Sequence, residues 1–554
     1  MDTAGMIMSM CGGLGLFLFG MKLMGDGLEL AAGARLRGLI ERLTKNKYMG
    51  ALVGLIVTAI IQSSSATTVM VVGFVNAGLM SLAQAVGVIM GANIGTTVTG
   101  VIIAFKLTAL APIAIFIGVI LVSFFKKNNH KHIGQIIAGF GILFMGMDLM
   151  STAMAPLSES EYFKGIISNF SNPLLGVLVG AVFTAIIQSS SASVGVLQAL
   201  AIAGAIDIRS AIFVVYGQNI GTCVTALISS VGTNRTARRT AIVHLLFNVF
   251  GTILFIVLSL VLPLADWMEQ LFPGNVAAQI SAVHVCFNVV CTAIMLPLSN
   301  FLIKIACKVI PGQDPIKERP ALKYLDARIL ETPPIAVAQV LKEVQRMGEL
   351  SIGNFEKSMS ALLDGDESKI KEVNETEELI NFLNRGITSY LVKINGLDME
   401  DSDRHIIGAL YHVINDWERV GDHAKNICEL ARMMVDGKAN MSFQAVSDIQ
   451  EMRKEVSGIL HNSLKMFAEL GKDDKLGEII TEEEEAIDMH TRQIRDNHIE
   501  RLNQGLCSAA SGTVLMDLLT NLERIADHAT NVAFFRTKHV SVSKLKSITP
   551  SVGV

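Results

Sequence analysis

The stretch T-A-I-I-Q-S-S-S-A at residues 58–66 occurs again, letter for letter, at residues 184–192. The displacement is 126 residues, and two further pairs keep it. G-A-N-I-G-T-T-V-T at 91–99 meets G-Q-N-I-G-T-C-V-T at 217–225, and L-F-L-F-G-M-K-L-M at 16–24 meets I-L-F-M-G-M-D-L-M at 142–150. Three matches in register mark a duplicated unit rather than chance.

The duplication lies in the apolar half of the chain. The 554 residues are 51% hydrophobic and 17% charged, against about 25% charged in an average soluble domain. Residues 1–310 hold 17 Lys/Arg and 10 Asp/Glu, which leaves 29 of the 46 basic and 40 of the 50 acidic residues for 311–554. This split predicts a transmembrane domain at 1–310, with repeat one at about 4–126, repeat two at about 130–252 and an extra helix at 280–303. A linker at 311–334, a helical domain at 335–540 and a tail at 541–554 follow. Seven scattered cysteines contain no C-x-x-C pair, so no zinc ribbon or redox motif is indicated. No basic run precedes the first apolar stretch, and no cleavable signal is expected.

Apolar stretches of about twenty residues fall at 4–24, 108–125, 134–155, 240–264 and 280–303. Loops 35–47, 126–132 and 233–239 and the stretch after Lys304 are basic, which assigns them to the cytoplasm. The second-copy partner of loop 35–47, at 161–173, is not basic. Nor is 107–113, the partner of 233–239. Equivalent loops therefore fall on opposite sides, and the copies are inverted. Counting crossings then requires 48–78 and 172–206 to enter and return on one side, while 81–105 and 210–230 cross. The expected fold class is all-α: a polytopic membrane protein of seven crossings, with inverted repeats and two re-entrant hairpins. Its N-terminus is expected outside and its second half in the cytoplasm.

Each hairpin concentrates neutral polar groups where lipid would be. Gln62, Ser63, Ser64, Ser65, Thr67 and Thr68 form one cluster; Gln188, Ser189, Ser190, Ser191 and Ser193 form the other. Irregular backbone survives at that depth only where protein or water satisfies it. Broken helices offer N–H groups to anions at one end and carbonyls to hard cations at the other. Residues 48–105 carry no charge. An anion held there needs co-bound cations and backbone dipoles, so a cation-coupled anion carrier is expected. Asn93, Gly95, Thr96 and Thr97, with Gln218, Asn219 and Thr222, add amides, a flexible glycine and hydroxyls.

Other polar residues are expected to be structural. Lys22 and Asp148, at equivalent positions, should snorkel to opposite interfaces. His244 and Asn248, and their echo His284 and Asn288, read as packing groups rather than a proton relay. Asp207 and Arg209 read as a surface pair. No enzyme is expected: there is no nucleophile elbow or P-loop, and the triple serine lacks a nearby histidine base.

The paired Q-S-S-S and N-I-G-T motifs resemble the type II sodium–phosphate cotransporter family and its bacterial relatives over about residues 4–305. The resemblance implies that Na+ and inorganic phosphate bind near the membrane midplane, between the hairpins. The polar residues named above would line the site from both repeats. The copies differ at Ser193 against Thr67, Gln218 against Ala92 and Cys223 against Thr97.

After Pro320 the pattern becomes charged amphipathic helix, with apolar spacing at Val337, Leu341, Val344, Met347 and Ile352. E-R-V-G-D-H-A-K-N at 418–426 matches E-R-I-A-D-H-A-T-N at 523–531, an offset of 105. The spacing puts Glu418 and Asp422 on one helical face, as it does Glu523 and Asp527. Acidic clusters at Glu375, Glu377 and Glu378, and at 482–485 with Asp488, open other helices. Carboxylates on facing helices can hold metal. This half resembles the phosphate-uptake regulator PhoU, which implies two three-helix bundles. It also implies a divalent or trivalent metal at Glu418, Asp422, Glu523 and Asp527.

The combined expectation is sodium-coupled phosphate transport across the inner membrane by alternating access, with a cytoplasmic PhoU-like regulatory domain facing a phosphate-signalling partner. The rivals are a phosphate exporter, a carrier of another small oxyanion, or a membrane-anchored signalling subunit without transport. Inorganic phosphate and the bilayer are the expected partners, and Na+ the coupling ion. An oligomer is compatible, and no nucleic-acid partner is expected.

Overall fold

Short polar residues set the helix boundaries, at the same place in both repeats. Asn46 caps one hairpin by accepting from the Met49 N–H at 2.8 Å, and Asn172 caps the other by accepting from Leu174 at 3.0 Å. Ser81 and Asp207, again 126 residues apart, cap the helices that follow. The computed structural model describes residues 3–41, 46–105, 107–125, 127–312, 314, 321–436 and 441–536. The tail at 541–554, most of 313–320, and Arg42, Lys45 and Lys126 of the basic loops lie outside the described residues.

The first repeat runs α1 (Thr3–Glu41), α2 (Lys47–Ile61), α3 (Ser64–Asn76), α4 (Leu82–Ala104) and α5 (Ala111–Phe124). The second runs α6 (Asn128–Met154), α7 (Glu161–Ser168), α8 (Pro173–Ile187), α9 (Ser190–Ile202), α10 (Ile208–Gly221), α11 (Cys223–Ser229) and α12 (Arg235–Val261). Then come α13 (Leu264–Leu271), α14 (Val276–Met295) and α15 (Ser299–Val309). The expected span 280–303 is thus broken near Pro297, which cannot donate to a continuing helix. Among the described residues, seven helices are long and apolar enough to cross a membrane, the number expected.

Inversion is visible in the packing of α1 on its own repeat copy, α6. A Cβ at Gly13 would strike Gly146 and Met150; one at Gly20 would strike Gly139 and Leu143. Gly139 and Gly146 are the repeat equivalents of Gly13 and Gly20. A helix that meets its copy antiparallel, glycine against glycine, is related to it by a two-fold axis across the helices. The hairpins pack equally closely. There is no room for a Cβ at Gly54 against Val88, or at Gly180 against Val214, and these pairs too are 126 apart.

Contacts divide the chain into two compact units: Met1–Ile316 with Asp326–Ile335, and Lys317–Leu325 with Ala336–Val554. The second unit is helical throughout its described residues. α16 (Pro333–Asp364, its first three residues in the membrane unit), α17 (Glu367–Asn395) and α18 (Asp401–Val435) form one three-helix bundle. α19 (Phe443–Ala468), α20 (Asp474–Asn503) and α21 (Ala509–Ala533) form the next. Trp417 is wholly buried where Gly348 leaves room for its ring, and the Ser351 hydroxyl donates to the Trp417 carbonyl at 2.9 Å.

Candidate binding site between the two repeats

Each Q-S-S-S breaks a helix in the same way. Gln62 ends α2 in the left-handed region (φ 58°, ψ 20°) and Gln188 ends α8 at φ 59°, ψ 22°. Their N–H groups donate to Thr58 and Thr184 at 2.8 and 2.7 Å. Ser63 and Ser189 then cap α3 and α9 by accepting from Ala66 and Ala192. The remaining first-turn N–H groups of α3 and α9 carry partial positive charge. Buried hydroxyl pairs brace the corners: Thr58 donates to Thr67 at 3.0 Å, and Thr184 to Ser193 at 2.7 Å. Thr68 donates back to the Ser65 carbonyl.

The two corners share one cavity of about 210 Å³. Gln62, Ser63, Ser64, Ser65, Gln188, Ser189, Ser190 and Ser191 line it, with Ile61 and four residues of α1: Met21, Lys22, Gly25 and Asp26. It is the scale of a small ion rather than a cofactor. Lys22 lies in this wall, a position that its place late in an apolar span did not indicate.

The corners are not in the same state. The Thr99 hydroxyl donates to Gln62 Oε1 at 2.7 Å, and Gln62 is buried. Its repeat equivalent, Thr225, reaches Ser65 at 3.4 Å instead, and Gln188 is exposed. Ser65 donates to the Gln188 carbonyl at 3.3 Å.

A second cavity, of about 640 Å³, shares Ser65 and Gln188 with the first. It is bounded by Thr225, Ile228 and Ser229 and by Ala327, Arg328 and Glu331 of a 3-10 turn, Ala327–Glu331. The turn is a strap held against α3 and α11. Asn76 donates to Asp326 at 2.7 Å, Arg328 donates to the Ser229 carbonyl at 2.7 Å, and Ile329 is fully buried. Burial raises the Glu331 carboxyl pKa above its ordinary value.

The N-I-G-T residues line neither cavity; they are buried in networks. His244 Nε2–H donates to Asn93 Oδ1, and Asn93 donates to Asn248, both at 3.3 Å. His284 and Asn288 both donate to Asn219 Oδ1 at 3.3 Å. The echoed His and Asn of α12 and α14 thus grip the two N-I-G-T asparagines. Gly95 lets α4 approach Leu55 and Thr58, while Thr96 and Thr97 bond back to their own helix. Gln218 donates to the Ser193 carbonyl at 3.0 Å, and the buried oxygens Gln218 Oε1 and Thr222 Oγ1 have no hydrogen-bond partner among the described residues. Asp207 and Arg209 do not pair: Asp207 caps α10, while Arg209 bridges to Asp266 and Glu269.

In the helical unit, burial and then neighbouring Asp422 raise the Glu418 carboxyl; burial and then Glu377 raise Asp422. Glu523 lies 3.9 Å from Arg495, and Asp527 pairs with Arg524 at 3.3 Å. Among the described residues, no group of three or more His, Cys, Asp or Glu is gathered to hold a metal. The histidines and asparagines of the repeated motif do other work. His423 and Asn426 reach Asn521 at 2.8 and 3.2 Å; His528 and Asn531 reach Asp416 at 2.9 and 3.4 Å. Asp416 and Asn521 are themselves 105 apart, so the motif clamps one bundle to the other reciprocally.

The sequence profile of the Na+/Pi-cotransporter family matches residues 16–152 and, a second time, 148–267; that of the PhoU domain matches 344–431 and 449–535. The "Putative inorganic phosphate export protein YjbB" of Escherichia coli (strain K12) is 26% identical over 522 residues, 94% of this chain and 95% of that one. YqeW of Bacillus subtilis (strain 168) is 33% identical over 304 residues, 54% of this chain and 96% of that one. The "Phosphate-specific transport system accessory protein PhoU homolog 1" of Thermotoga maritima is 27% identical over 192 residues, 34% of this chain and 81% of that one.

Proposed function

Since the chain belongs to the Na+/Pi-cotransporter family and ends in PhoU domains, we propose that it moves inorganic phosphate across the inner membrane, coupled to Na+, by alternating access. The observation that carries this reading is the shared cavity. Two inverted Q-S-S-S corners converge on a space of small-ion size. They offer hydroxyls and helix N-termini to an anion. Phosphate binds between Gln62, Ser63, Ser64, Ser65 and Gln188, Ser189, Ser190, Ser191. Na+ binds at carbonyl and hydroxyl oxygens behind them, drawn from Thr67, Thr68, Asn93, Gly95, Thr96, Thr97, Ser193, Gln218, Asn219 and Thr222.

In this reading, α2 with α3 and α8 with α9 are re-entrant hairpins. At 15 and 13 residues, α2 and α3 are roughly 22 and 20 Å long, short of a ~30 Å hydrocarbon core. The N-terminus is outside and the PhoU domains are cytoplasmic, by the basic loops. The PhoU domains respond to phosphate status or a signalling partner and bias the exchange between the two states. No metal at Glu418, Asp422, Glu523 or Asp527 is part of the proposal.

Uptake of labelled phosphate into proteoliposomes, with and without a Na+ gradient, tests it. Sodium-driven accumulation is expected; equal uptake without Na+ removes the coupling. A second reading, export, is favoured by the name of the YjbB relative. Direction follows the gradients, and counterflow from phosphate-loaded vesicles decides between the two.

A further inference from the structure

Lys22 and Asp26 are the charged residues in the wall of the 210 Å³ cavity; every other polar residue there is a neutral serine or glutamine. The approach of α1 is fixed by Gly25, which lies between them. A Cβ at Gly25 would sit 3.2 Å from the Ile61 carbonyl and 3.6 Å from Gln62 Cβ. The helix therefore passes tight against the first corner, with Lys22 one turn before the contact and Asp26 just after it. Among the described residues, no hydrogen bond or ion pair engages the Lys22 ammonium. The inverted repeat supplies no matching cation, because Asp148 stands at the equivalent of Lys22 and Thr152 at that of Asp26.

We propose that Lys22 is the specificity-determining cation of this cavity: its ammonium meets the bound oxyanion that the two serine corners enclose. The inference rests on the reading of the cavity as the phosphate site and deepens it. Hydroxyls and amides alone accept neutral solutes as well as anions, since each can donate or accept. A compact ammonium adds three donors, no acceptor and a full charge, and so rejects cations and neutral guests. It also answers a question the uncharged stretch 48–105 raises, namely what offsets the anion before any Na+ arrives. The countercharge comes from a different helix.

The test uses the full chain, with Lys22→Met and Lys22→Arg, in two assays: labelled phosphate uptake in proteoliposomes, and equilibrium binding of labelled phosphate to the purified protein. For Lys22→Met the half-saturating phosphate concentration should rise at least about tenfold in both, with maximal uptake kept within about threefold. Lys22→Arg, which keeps the charge, should stay within about threefold of wild type in both. A Lys22→Met protein that saturates at the wild-type concentration overturns the proposal. So does a Lys22→Arg protein as impaired as Lys22→Met, because that would make the lysine a packing group. Phosphate binding that depends on Lys22 without any uptake upholds the lysine and removes the transport reading. Uptake that ignores Lys22 does the reverse, and absence of binding by the wild type removes both.

Discussion

Ser65 and Gln188 come from opposite repeats, yet the Ser65 hydroxyl donates to the Gln188 carbonyl at 3.3 Å. Both residues line the 210 Å³ cavity and the 640 Å³ one. Their hydrogen bond thus lies on the partition between the two spaces, and the Thr225 hydroxyl reinforces it at 3.4 Å. Breaking it is the least intrusive way to disturb the barrier. Ser65→Ala removes both contacts and also one hydroxyl of the proposed phosphate site, so counterflow is compared at saturating phosphate. A net hydrogen bond of ~0.5–1.5 kcal/mol corresponds to roughly a two- to tenfold change in a two-state population. Counterflow measured without Na+ should rise by that factor, and an unchanged value would show that the contact is not a barrier.

The glutamines are expected to matter more than any single serine. Gln62 and Gln188 each end one helix at the cavity wall, and the Gln62 amide is fixed there by accepting from Thr99 and donating to the Ala59 carbonyl. Gln62→Ala and Gln188→Ala should each cut phosphate uptake at least about tenfold, because a site built around a polar group loses more than the contact itself when the group goes. Near-normal rates in both would remove the proposed site.

Gly180→Ala tests the hairpin packing apart from chemistry. A Cβ there would meet the Val214 carbonyl and the Gln218 N–H region, which are backbone and cannot swing away. Overpacking of this kind costs about 1–3 kcal/mol or more. Thermal unfolding in detergent should show a Tm several degrees lower, and an unchanged Tm would mean that the hairpin and α10 separate freely.

Glu418 gives a pH-dependent outcome in the helical unit. Burial, followed by Asp422, raises its carboxyl pKa. A carboxyl raised in the folded state binds its proton more tightly there than in the unfolded chain. Its contribution therefore favours folding at pH below the ordinary carboxyl range near 4 and is lost as pH rises through the folded value. Glu418→Gln mimics the protonated form. It should raise Tm at pH 7 by about 1–2 °C, with the gain vanishing near pH 4. A Tm lowered at pH 7 would instead assign Glu418 a stabilising charge.

The duplication, the helix breaks at Gln62 and Gln188 and the inversion are legible in the letters, because each repeats at one offset or follows from loop charge. Lys22 is not. Its cavity position depends on how closely Gly25 lets α1 approach Gln62, a tertiary contact with no local signature. Nor is the unequal state of the corners, since Thr99 and Thr225 occupy equivalent positions with identical side chains and differ only in partner. In the helical unit, D-H-x-x-N reads as an acidic face. Its His and Asn serve as a clamp instead, because their partners, Asp416 and Asn521, sit just upstream and differ in type between copies. A repeat comparison passes over them.

The strap at Asp326–Ile335 bears on how the chain can be cut. Residues on either side of it, Lys317–Leu325 and Ala336–Val554, belong to the other unit. A truncation placed at the visible change in composition, near residue 320, would discard Arg328 and Ile329 along with the PhoU domains and strip one wall from the larger chamber. A stop codon after Ile335 leaves that wall standing, so only the longer fragment reports what the PhoU domains themselves contribute.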